Sequence, residues 1–124
     1  MPDQPAQQWR TVLRAGLTDA RKQRDTVRVS ALRTALSAID NAETPDLTDT
    51  PIHVDGPIAH SASGVGAAEV PRRQLDDTEI RALLRAEIDE RLSAAAEFTA
   101  AGHAGRAAEQ HRAAALLDDL VSGR

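Results

Sequence analysis

The sequence predicts an all-α fold of four main helices, paired as two antiparallel hairpins and joined by a long Pro/Gly-rich connector. Three observations carry that expectation. Apolar residues recur at three- and four-residue spacing through four separate stretches. Short turn signals, at Gln23–Asp25 and at Gly102, separate the members of each pair. Between the pairs, residues 44–74 hold four of the six prolines and no helical period. A single domain, 1–124, is expected, made of a first hairpin over 8–43, the connector over 44–74 and a second hairpin over 75–121.

The first helix is expected over Gln8–Arg24. Val12, Leu13, Leu17 and Ala20 share one face, with Arg10, Arg14, Arg21, Lys22 and Arg24 mostly around it. Gly16 inside this run should cost about 1 kcal/mol against alanine unless another backbone packs there. The second helix, 25–43, can be capped by Asp25 and carries the stripe Val29, Leu32, Leu36 and Ile39, widened by Ala35, Ala38 and Ala42. With so tight a turn between them, the two form a helical hairpin.

The third helix, 75–102, has the clearest start: Asp76 followed by Glu79 resembles a capping box. Ile80, Leu84, Ile88, Leu92, Ala95 and Phe98 are expected inward, Glu87 and Arg91 form a favourable i,i+4 pair, and Gly102 ends the run. The fourth, Ala104 to Val121, points Ala108, Ala113, Leu116, Leu117 and Leu120 inward. Alanine at such contacts allows close helix approach, near the short end of the usual 8–10 Å.

Composition narrows the function classes. With no cysteine, a disulfide framework and thiolate zinc sites are excluded. No window approaches membrane-spanning length and the N-terminus has no apolar stretch, so a cytoplasmic protein without membrane contact is expected. Net charge is −4, unevenly spread: residues 1–43 carry seven basic and five acidic side chains, whereas 77–124 carry six and nine. Only the first helical region has any electrostatic pull toward nucleic acid, a weak one, and no DNA partner is expected. Phe98 and Trp9 are the only aromatics, so the core is modest, and self-association would be a natural supplement.

Site motifs are sparse. The Gly64–Gly66 pair lacks the spacing and the following Gly-Lys-Ser/Thr of phosphate-binding loops, and reads as connector. His53, His60, His103 and His111 do not stand at metal-ligand spacing. No acid–base pair has an apolar setting, and no nucleophile has its usual context. No catalytic residue, cofactor or metal is therefore assigned. What remains is Arg28, Arg33, Asp40, Asn41 and Glu43 beside the apolar stripe of the second helix: an ordinary charged flank, or a recognition surface for RNA backbone or a protein. Arg72 and Arg73 are either solvated charges or the near edge of that surface.

Taken together, 13–43 resembles the GatB/YqeY family. Its pattern is matched by Leu13, Leu17, Ala20, Asp25, Arg28, Leu32, Arg33, Ile39, Asn41 and Glu43. The second half is similar too, through Leu75, Asp77, Ile80, Glu87, Arg91, Glu97, Phe98 and Gly102. The resemblance implies packed helical hairpins related to a C-terminal helical region of glutamine-dependent aminoacyl-tRNA amidotransferases, the region that serves the tRNA side of their reaction. It also implies a setting in glutamine-dependent carbon–nitrogen ligation, with tRNA or amidotransferase subunits as partners. The family pattern continues into a Tyr-Leu-Pro signature and a further small subdomain, so this chain reads as a short form. The expected function is a non-catalytic accessory module with Arg28, Arg33, Asn41, Glu43, Arg72 and Arg73 as its recognition face. The alternative is a protein–protein adaptor or homodimer with no RNA role.

Overall fold

The computed structural model describes residues 4–45 and 71–123, in which the chain forms α1 (Pro5–Lys22), α2 (Thr26–Glu43), α3 (Asp77–Ala100) and α4 (Ala104–Ser122). Among the described residues there is no strand, and the fold is all-α. α1 pairs with α2 and α3 with α4, as two antiparallel hairpins, and α2 packs against both helices of the second pair. The phosphate-loop question at Gly64–Gly66 and the histidines His53 and His60 lie outside the described residues.

α1 begins three residues earlier than its periodicity suggested. Pro5 occupies the first turn, where its missing N–H costs nothing and its φ is already helical. The extra residues bring Ala6 into the core beside Trp9. The α1–α2 turn is unusually compact. Asp25 N–H donates to Ala20 O at 2.9 Å and Arg24 N–H to Arg21 O at 3.1 Å, the paired bonds of a Schellman ending. Asp25 then serves the next helix, its carboxylate accepting from Arg28 N at 3.1 Å. One residue thus closes α1 and opens α2.

α3 starts as expected. Asp76 accepts from Glu79 N at 2.8 Å and Glu79 accepts from Asp76 N at 3.1 Å, a complete capping box. It ends at Gly102, whose φ of +83° suits glycine, with His103 N donating to Phe98 O and Gly102 N to Thr99 O.

The core runs from Trp9, Leu13 and Leu17 through Leu32 and Ile39 to Ile80, Leu84, Leu117 and Val121. Gly16 lets α2 approach: a Cβ there would lie 3.3 Å from Leu32 Cδ1, so a buried side chain, rather than a backbone, occupies the space. Two inward assignments do not hold. Leu92 is 42% exposed, because a row at four-residue steps winds around a 3.6-residue helix and leaves the α4-facing side after Ile88. Ala108 is exposed; the buried residues of α4 are Ala107, Ala114 and Val121 together with the expected Ala113 and Leu117.

Candidate functional site

The six residues expected to form a recognition face fall into three environments. Arg28 lies at the turn end of α2, where its guanidinium donates to Gln23 Oε1 at 3.0 Å and pairs with Asp19 at 3.5 Å. Glu43 ends the same helix, about 22 Å away along the axis at about 1.5 Å per residue. Arg33 and Asn41 are exposed on α2 between those two. The structure therefore does not gather the four α2 residues into one cluster.

Glu43 is the residue whose environment departs most from a solvated flank. It is buried, and it takes hydrogen bonds from Arg10 on α1 and from Arg72 Nη2 at 3.1 Å. Arg10 also bonds Asp40 Oδ1 at 2.6 Å. The Arg10 hydrogen bond holds the Glu43 carboxyl below its ordinary value against the opposing effect of burial, with Arg72 adding to the depression. The same bond raises Arg10 above its own ordinary value. Gln7, Arg14 and Thr44 join these groups around a shallow cleft of about 440 Å³.

Arg72 and Arg73 close the end of α2. Its last four carbonyls all find donors. Asp40 O accepts from Thr44 Oγ1 at 3.0 Å and Arg72 Nη2 at 3.3 Å, and Asn41 O from Thr44 N at 3.2 Å. Ala42 O accepts from Arg73 Nη1 at 3.3 Å, and Glu43 O from Arg73 N at 2.8 Å. Carbonyls that a helix end leaves over are thus taken up largely by two residues distant in sequence, whose charge also suits the negative end of the helix dipole. Both guanidiniums make these contacts while remaining more than half exposed.

What the first hairpin does present is a set of cations that overlaps the expected face only at Arg33. Each of its four described acids is already engaged: Asp19 with Arg28, Asp25 as a cap, Asp40 and Glu43 with Arg10. Arg14, Arg21, Lys22, Arg24 and Arg33 are exposed, and none has a side-chain hydrogen bond or ion pair among the described residues. Arg14 and Arg21, seven residues apart, lie on one face of α1, Lys22 lies about 100° further round the helix, and Arg24 follows in the turn. Arg24 has φ +57°, the left-handed region that glycine favours. The alternation of charge along α1 contains the signal, but only the pairing of every nearby acid shows which cations remain available.

No family model, curated protein or solved structure matches the chain. Among the described residues, no group of three His, Cys, Asp or Glu side chains could hold a metal ion, and no helix is long and apolar enough to cross a membrane.

Proposed function

We propose that the chain is a non-catalytic helical interaction module that binds tRNA backbone through the first hairpin, in line with its resemblance to the GatB/YqeY family and that family's link to tRNA-dependent amidation. One observation carries the reading. The described acids of α1 and α2 are engaged within the fold, Asp19, Asp40 and Glu43 in ion pairs and Asp25 as a helix cap, while Arg14, Arg21, Lys22, Arg24 and Arg33 stay exposed without partners among the described residues. A polyanion gives such cations their counter-charges and releases condensed ions as it docks. Arg24 adds a second support. A non-glycine residue kept at positive φ costs stability, and the cost is understandable where its charge is used.

Backbone contact is the mode that fits. Phe98 and Trp9 are the only aromatics, and Trp9 is buried, so a stacking platform for bases is absent from the described part of the first hairpin. Affinity should therefore be electrostatic, tolerant of sequence and steeply dependent on salt. Titration of fluorescent tRNA against the wild-type chain and an Arg14→Glu/Arg21→Glu variant tests this. Binding should weaken at least tenfold in the variant while circular dichroism stays unchanged. Arg33→Glu should weaken it less. Equal affinity of wild type and double variant, or affinity indifferent to salt, would remove tRNA from the account.

A further inference from the structure

The core does not extend to the tip of the second hairpin. Ala95 and Ala107 are buried but lie outside the core cluster, one on each side of the Ala101–His103 turn. At the same level a gap of about 150 Å³ separates the start of α2, at Thr26 and Val27, from Arg91 and Gln110. Beyond it lies a shallow apolar cleft of about 320 Å³ formed by Ala94, Phe98 and Ala101, with Glu97 and His103 at its rim.

Phe98 is half-buried there, with the His103 ring edge-on at 6.3 Å and the Arg106 guanidinium 5.9 Å over its face. Glu97 and Arg106 flank this ring from α3 and α4. Both are exposed, and neither has an ion-pair partner among the described residues. The patch has an apolar centre, an anion without an ion-pair partner among the described residues and a cation whose only partner there is the Phe98 ring, so it offers a second copy of itself complementary charge. An isologous contact would set Glu97 of one copy against Arg106 of the other, twice. Ala94 and Ala101 leave room for helices to approach closely across the axis.

We infer that the tip of the α3–α4 hairpin is a self-association surface, in which a second copy of this chain covers Phe98 and pairs Glu97 with Arg106 in both directions. The patch is small, so the dimer is weak and transient, in the class of interfaces below about 1,200 Å². It is also separate from the cations of α1, and it stands or falls without them.

Sedimentation equilibrium of the full chain, from about 10 μM to about 1 mM, tests the surface. Wild type should move from monomer toward dimer over that range. Glu97→Arg and Arg106→Glu should each weaken association at least tenfold, and the double variant, with the charges exchanged, should recover it. Both positions are exposed, so the single variants should keep wild-type helicity. A wild type that stays monomeric at about 1 mM, or a double variant no better than the singles, overturns the proposal. Arg14→Glu/Arg21→Glu should dimerise like wild type, which separates this surface from tRNA binding.

Discussion

Trp9 Nε1 donates a 2.8 Å hydrogen bond to Asp77 Oδ1, joining the N-terminal ends of α1 and α3 across most of the chain. Asp77 Oδ2 accepts from Arg81 Nε at 2.6 Å, Arg81 lies 5.4 Å over the Trp9 ring, and the same guanidinium reaches Val121 O at the end of α4. Three helices are closed by one indole, one carboxylate and one guanidinium. Trp9→Ala should destabilise the fold by about 3–5 kcal/mol. Trp9→Phe, which keeps most of the volume but loses the donor, should cost about 1–3 kcal/mol. Urea unfolding followed by circular dichroism measures both, and a Trp9→Phe variant as stable as wild type would mean that the hydrogen bond contributes nothing.

The Arg10–Glu43 pair predicts a pH dependence. The folded-state pKa of Glu43 lies below its ordinary value of 4.5, because the carboxylate is held first by the Arg10 hydrogen bond and further by Arg72. Its contribution is therefore complete above about pH 4.5 and is lost as pH falls through the depressed folded value. Glu43→Gln should lower stability at about pH 7, and the difference from wild type should close only as pH falls below about 4.5 and through the depressed folded value. Denaturant midpoints at several pH values, compared between the two proteins, provide the check.

Glu87 predicts the reverse. Burial, and then neighbouring Glu90, raise its pKa, with Arg91 opposing. The expected Glu87–Arg91 ion pair does not form, because Arg91 turns to Gln110 at 3.3 Å and to Thr34 and Ser30 at 3.2 and 3.4 Å. A raised carboxyl favours the fold while protonated, and that advantage disappears as pH rises through the folded value. Glu87→Gln should therefore stabilise the protein at about pH 7, with the gain shrinking as pH falls through the raised folded value and gone below about pH 4.5. A lower thermal midpoint for the variant at neutral pH would contradict it.

Arg24 sets stability against binding. Glycine at this left-handed position removes a steric cost of roughly 1 kcal/mol, so Arg24→Gly should raise the thermal midpoint. If the cation contacts phosphate, the same variant should bind tRNA more weakly and with a shallower salt slope. Stabilisation without loss of affinity would separate the backbone strain from any role in binding.

The sequence by itself determined the four helices and most of their ends. Asp25, the Asp76–Glu79 box and Gly102 act on N–H and C=O groups within a few residues, so their consequences follow from local spacing. It also located the excess of cations in the first hairpin. The tertiary structure decided which residues meet across the chain: Trp9 with Asp77, Glu43 with Arg10 and Arg72, and Arg73 with the last turn of α2. It also decided that Leu92 faces solvent and that Arg14, Arg21 and Lys22, rather than Arg28 and Glu43, are left available. The reason is geometric. Helical periodicity assigns a side chain to a face, but the crossing of two helices sets which part of that face is covered and which charge finds a partner.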